Sequence, residues 1–214
     1  MRIAIALVVA YLLGSVLPAE LFARARGVDI RAVGTRNPGA TNAMRELGAV
    51  PGLVTGAYDA SVGLVSMYLA WRLGLPAGWI YTVGLTAFVG HVFPVFFGFR
   101  GGQGMAAATG MLVWCMVYAL ARGWMSAAGI AALLALAAVI FAVTRSATIV
   151  GVCTVPVLVV EVLLARPEWK FGLFMVVLSA LIWTTQLGIA RQGHLFRSSG
   201  PMRQRVPRPR VHAR

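Results

Sequence analysis

Acid is scarce in this chain. Six Asp and Glu stand against nineteen Lys and Arg, and only one of those bases is lysine. Charged residues make up 12% of the 214 positions and hydrophobic ones 59%, at a mean hydropathy of +0.82. So little charge excludes a soluble domain, which at this length cannot hide so much apolar surface from water. The apolar runs do not alternate with polar residues, which excludes a β-barrel and leaves helices, whose backbone groups pair internally in lipid. The two cysteines, Cys115 and Cys153, fall inside apolar runs and read as small buried hydrophobes. No spacing of Cys and His suits a metal, and no internal repeat is present.

Seven runs are long enough to span a bilayer at about 20 residues each: 3–23, 51–71, 78–99, 105–121, 127–144, 147–165 and 171–190. A count of six, with fewer breaks between 105 and 165, is the alternative. The first run has the shape of a signal peptide. However, Pro18, Glu20 and the arginines that follow give no small-residue cleavage site, so it reads as a spanning helix. The net charge of +13 suggests anionic partners. In a membrane chain, though, bases mark cytoplasmic loops first. With the N-terminus outside, the segments 24–50, 100–104, the turn at Arg145 and 191–214 hold fourteen of the nineteen bases. The expected fold is therefore an all-α integral membrane protein of seven transmembrane helices, N-terminus outside and C-terminus cytoplasmic. A membrane domain occupies 1–200, and an Arg/Pro-rich tail occupies 201–214 and lies at the headgroups.

Ionisable groups at lipid depth are functional by default. Asp59 lies about 12 Å inside the second helix at 1.5 Å per residue, and His91 lies at similar depth inside the third. Glu20 sits near the cytoplasmic end of the first helix, while Glu161 is near the outer end of the sixth. Three of these four therefore point to one polar site opening to the cytoplasm. Structural pairing of Asp59, and an interhelical hydrogen bond for His91, are the plainer readings.

Two clusters carry chemistry. The loop 24–50 is too long to be a connector. It contains Gly34-Thr35-Arg36-Asn37-Pro38-Gly39-Ala40-Thr41-Asn42, then Arg45. Small residues admit a ligand to the backbone, hydroxyls and amides offer hydrogen bonds, and Arg36 and Arg45 can clamp a phosphate. A short helix can start at Ala40, with its N-terminus favourable to an anion. The second cluster runs from Gly90-His91 through Phe93-Pro94 to Arg100-Gly101-Gly102-Gln103-Gly104. Here Gly101, Gly102 and Gly104 can form a nest of amides for an oxyanion, with Arg100 supplying charge. A tight helical hairpin is the plain alternative. The Gly-Lys-Ser/Thr of a nucleotide P-loop is missing.

Together these motifs resemble the bacterial acyl-phosphate:glycerol-3-phosphate acyltransferases, the PlsY family. The likeness rests on Gly34, Asn37, Gly39, Ala40, Thr41, Asn42 and Arg45, then Gly90, His91, Phe93, Pro94, Phe96, Gly101, Gly102 and Gly104. Gly14, Ser15, Pro18, Asp59 and Gly63 add to it. The resemblance implies seven helices in the bacterial plasma membrane with a site at the cytoplasmic face. It also implies acyl transfer from acyl phosphate to the 1-hydroxyl of glycerol 3-phosphate, giving lysophosphatidic acid, with no metal or nucleotide cofactor. The expected partners are glycerol 3-phosphate, acyl phosphate and membrane lipid, with no nucleic acid and no oligomeric state implied.

Departures from the pattern are Thr35 for a serine, Arg36 for a glycine, Val62 for a lysine and Gln103 for a lysine. The third motif is altered, with Arg191 for a histidine, His194 at the place of an asparagine, and no Glu after Arg197. Thr35, Asn37, Arg45 and His91 are expected to be catalytic. Arg36, Gly39, Thr41, Asn42, Arg100, Gly101, Gly102, Gln103, Gly104 and His194 are expected to bind substrate phosphate. No Ser-His-Asp set can be placed, and His91 has no Asp five residues on, which excludes the histidine-aspartate acyltransferases. Direct attack by the glycerol hydroxyl is expected, its proton passing to a substrate phosphate oxygen or to His91. Two other functions fit the residues. One is a paralogue that binds a lipid or acyl phosphate without turnover, and the other is a small organic-anion transporter.

Overall fold

Proline decides where the first apolar run bends. Pro18 lacks an N–H and its ring crowds the carbonyl four residues back, so the run divides into α1 (Arg2–Gly14) and α2 (Pro18–Ala25), bent by 42°. The expected single span 3–23 is thus two helices. The Ser15 hydroxyl occupies the break, donating to the Tyr11 carbonyl at 2.8 Å and accepting from the Val95 amide at 3.3 Å.

The remaining helices are α3 (Ala40–Glu46), α4 (Ala49–Arg72), α5 (Ala77–Val92), α6 (Met105–Ala121), α7 (Ala127–Thr144), α8 (Ala147–Leu164) and α9 (Trp169–Arg197). Pro94 ends α5 well before the expected 99, because the residue before a proline is pushed out of helical geometry. Phe93 has φ −124° and ψ 66°, and a 3-10 turn at Val95–Phe97 follows. The short helix expected from Ala40 is α3. This computed structural model describes residues 1–144, 147–165 and 167–197; the side chains of 147, 148, 151, 152 and 185–197 lie outside the described residues, as does the tail 201–214.

No strand occurs among the described residues. Three of the described helical segments are each long and apolar enough to cross a bilayer alone: Ala49–Arg72, Ala77–Phe97 and Ala127–Thr144. The bent pair α1–α2 makes a fourth, and Met105–Ala121, Cys153–Leu164 and Trp169–Thr184 are shorter apolar helical stretches. Small residues set the closest crossings, as expected where packing rather than hydrophobicity holds helices together in lipid. A Cβ at Gly14 would overlap the Ala87 carbonyl, and one at Gly90 the Tyr11 carbonyl, so α1 and α5 meet backbone to backbone. Gly63 and Gly110 do the same for α4 and α6, against Ala107 and Ala60.

The two ends of the bundle differ. At the end away from the long loop, Tyr81 stacks on Phe174 at 4.8 Å, and Trp124 packs against Phe171 at 5.2 Å. There Arg122 pairs with Glu168 at 3.3 Å. The other end gathers the C-terminus of α1, the start of α4, the end of α5 and the start of α6 beneath the polar loops.

Candidate active site at the loop end of the bundle

The first loop is organised around one buried amide. Asn42, 1% exposed on α3, accepts the Thr35 amide at 2.8 Å and donates to the carbonyls of Ile30 (3.0 Å) and Val33 (3.2 Å). Its hydrogen-bonding groups are turned inward. Expected among the phosphate binders, Asn42 instead shapes the loop that presents its neighbours. Gly34 has φ 54°, and a Cβ there would overlap the Asn42 amide, so this turn needs glycine. Arg36 adopts a left-handed φ of 59° without being glycine. Thr35, Arg36, Thr41 and Arg45 are exposed, with Thr41 and Arg45 on one face of α3 at i, i+4. Gly39 precedes α3 as its extended cap residue. The helix reaches its place because Gly52 and Gly56 of α4 leave room. A Cβ at Gly52 would stand 2.6 Å from Met44 Cα, and one at Gly56 would stand 3.2 Å from Ala40 Cβ. Sequence reasoning passed over these two glycines, though their spacing of four on one helix is the signal of close packing.

The second loop folds back onto α5. Gly98 and Phe99 both have left-handed φ (62° and 59°), and the Arg100 amide closes the turn on the Phe97 carbonyl at 3.3 Å. The Gly101 amide then donates to the Val92 carbonyl at 3.0 Å, and the Gly102 amide to the His91 carbonyl at 3.1 Å. This corrects the expected anion nest at Gly101 and Gly102. Two of its amides satisfy carbonyls left open at the end of α5 and have none to spare for phosphate. The glycines serve close packing instead: a Cβ at Gly101 would overlap the His91 and Val92 carbonyls, and one at Gly104 the Phe88 ring.

The two loops meet. The Asn37 amide donates to Gln103 Oε1 at 3.5 Å, and Arg31 donates to the Arg100 carbonyl. Glu20 fixes that arginine, its Oε2 lying 3.3 Å from Arg31 Nε and its Oε1 3.4 Å from Arg24 Nε. Asp29 accepts the Arg31 amide at 2.9 Å. Asp29 and Arg31 were absent from the expected site, whereas Glu20 was expected there by its depth in the first helix. In a chain with six acids, two of them beside the basic loop were the available signal. Exposed Arg36, Arg45 and Arg100 thus stand on the joined loops at one end of the bundle.

His91 is placed differently from a group that touches substrate. Its side chain is 3% exposed, with Nδ1 3.7 Å from Asp59 Oδ1 on α4, and a Cβ on Gly102 would lie 2.6 Å from its Nε2. It is roofed by the second loop. The absence of an Asp five residues on was real, but tertiary packing supplies one from another helix. His194 falls within α9, and its side chain lies outside the described residues. Among the described residues no group of three His, Cys, Asp or Glu is placed to hold a metal.

A bundle of apolar helices with paired loops bearing cations over one end defines a multi-pass membrane protein with a polar, arginine-bearing face. Residues 4–192 match the family model for glycerol-3-phosphate acyltransferase. The glycerol-3-phosphate acyltransferase of Geobacter sulfurreducens is 49% identical over 105 residues, 49% of this chain and 54% of that protein. Glycerol-3-phosphate acyltransferase 1 of Deinococcus radiodurans is 45% identical over 108 residues, 50% and 54% of the two chains. The chain spans about half the length of these two curated relatives. A solved structure of PlsY (YgiH), an integral membrane glycerol 3-phosphate acyltransferase in its glycerol 3-phosphate form, superposes with a TM-score of 0.73 at 25% identity, covering 92% of this chain and 94% of that one. Its lysophosphatidic acid form gives 0.72 at 26% identity with the same coverage. The chain belongs to the glycerol-3-phosphate acyltransferase family.

Proposed function

We propose that this protein transfers an acyl group from acyl phosphate to the 1-hydroxyl of glycerol 3-phosphate, releasing phosphate and lysophosphatidic acid, at the cytoplasmic face of the bacterial plasma membrane. The observation that carries this reading is the junction of the two loops through Asn37 and Gln103, 3.5 Å apart, flanked by exposed arginines over an apolar bundle. The solved relatives in glycerol 3-phosphate and lysophosphatidic acid forms support the same substrate and product.

In this reading the hydroxyl oxygen attacks the acyl carbonyl carbon, the carbonyl-to-phosphate C–O bond breaks, and the phosphate departs with that electron pair. Arg36 and Arg45 hold and neutralise phosphate through charge-assisted hydrogen bonds, because the Gly101 and Gly102 amides are engaged on α5. Arg100 adds field from the second loop. Thr35 and Asn37 orient the acceptor. Burial of His91 under Gly102 favours a substrate phosphate oxygen as the proton acceptor.

The proposal includes seven spans with the N-terminus outside, the arrangement that puts both loops and most bases on the cytoplasmic side. The replacement of a lysine by Gln103 keeps a second reading in play, a paralogue that binds phosphate without turnover. Purified protein in detergent with palmitoyl phosphate and radiolabelled glycerol 3-phosphate decides. Labelled lysophosphatidic acid supports the transferase. Retained binding without product supports the paralogue, and uptake into sealed liposomes without acyl transfer supports a transporter.

A further inference from the structure

We infer that Asp59 is a positioning residue for the site, acting through His91 on the Gly101–Gly104 turn; the inference rests on the acyltransferase reading. Asp59 projects from α4 and His91 from α5, each about 3% exposed, with Oδ1 and Nδ1 3.7 Å apart. Neither atom has a hydrogen-bond partner among the described residues. Two buried ionisable groups arranged this way depend on each other, since an ionisable group buried without a partner is expensive. His91 is coupled to the second loop twice, once by its ring and once by its backbone. Its ring reaches Gly102 through Nε2, and the His91 carbonyl accepts the Gly102 amide at 3.1 Å. Gln103, the next residue, is the one that meets Asn37 of the first loop. A connected path therefore runs from Asp59 through His91 and Gly102 to the junction of Gln103 with Asn37, and Asp59 and His91 are both buried beneath it. Because Asp59 orients the imidazole, and the imidazole sets the height of the turn over α5, loosening the carboxylate loosens the binding loop.

The test uses the full chain in detergent and four variants: Asp59→Asn, His91→Gln, their double, and Gly102→Ala. A positioning role predicts that each single variant raises KM for glycerol 3-phosphate by about tenfold while kcat at saturation changes far less. It also predicts that the double variant is no worse than either single, because the two side chains act as one unit. Gly102→Ala reaches the same link from the opposite side, its new methyl displacing the imidazole. A purely structural role lowers the fraction of active protein, so kcat falls with KM unmoved. That outcome, or additive losses in the double variant, overturns the inference. Equilibrium binding of labelled glycerol 3-phosphate without acyl donor separates this from the function itself. Wild type that binds but does not transfer defeats the transferase reading, while weaker binding by Asp59→Asn still upholds the positioning role. Wild type that binds none overturns both.

Discussion

Arg36 holds a backbone conformation that favours glycine, and the reason is testable. Its φ of 59° lies in the left-handed region, where a side chain costs about 1–2 kcal/mol. Replacing it by glycine removes that strain but adds about 0.5–1 kcal/mol of chain entropy to be lost on folding. Arg36→Gly is therefore expected to unfold at the same temperature as wild type or slightly higher. Activity should move the other way. A charge-assisted hydrogen bond to phosphate contributes about 1.5–3 kcal/mol, and 1.4 kcal/mol is a factor of ten, so kcat/KM should fall roughly 10- to 100-fold.

Across the loop junction, Gln103 stands where the family resemblance implies a lysine, and Asn37 beside Arg36 already contacts it at 3.5 Å. Arg36→Gly/Gln103→Lys should recover most of the lost activity by returning the cation to the second loop. Arg36→Ala keeps the strained backbone without the charge, so it should lose activity with no gain in stability. The assays are thermal unfolding in detergent and steady-state transfer from palmitoyl phosphate. An Arg36→Gly protein with wild-type kcat/KM, or a double variant as poor as the single, would refute the idea that the strain is tolerated for the charge.

Asn42→Ala deletes hydrogen bonds to Thr35, Ile30 and Val33 and leaves the Thr35 amide and the Ile30 carbonyl unpaired, while the Val33 carbonyl keeps the Arg36 amide, a local loss of about 2–4 kcal/mol. Limited proteolysis should then cut at Arg31 or Arg36 while far-ultraviolet circular dichroism of the bundle stays unchanged. Gly52→Val drives a side chain into Met44 and should displace α3 with Arg45, abolishing transfer without unfolding the helices; full activity would show that the seat of α3 does not matter. Orientation is checked with cysteines placed at Ala32 and Gly123. A membrane-impermeant maleimide added to intact cells should label the second only, and labelling of the first without permeabilisation would reverse the proposed topology.

Helices were legible in the sequence because lipid imposes a one-dimensional rule: an apolar run of sufficient length with paired backbone groups. Segments 105–121 and 127–144 match α6 and α7 end for end. The run at 3–23 is broken in two and that at 78–99 runs past the end of α5, because hydropathy continues through Pro18 and Pro94 although the helical backbone does not. The loop motifs suggested a phosphate site from their residue types, with a tight structural turn as the plain alternative. What they could not reveal was which groups were already engaged. Asn42 and the amides of Gly101 and Gly102 look like ligand donors in sequence and are turned to internal carbonyls in space.

The amino-acid order alone determined that this chain is a bundle of apolar helices with its cations concentrated in a loop and a tail, because hydropathy and charge are properties of each residue wherever it lies. Only the tertiary structure decided that Asp59 meets His91 across two helices, that Asn37 meets Gln103 across 66 positions, and that Gly52 seats α3. Those contacts depend on the close approach of backbones at particular crossings, and no local pattern in the sequence specifies a distance between residues that only packing brings together.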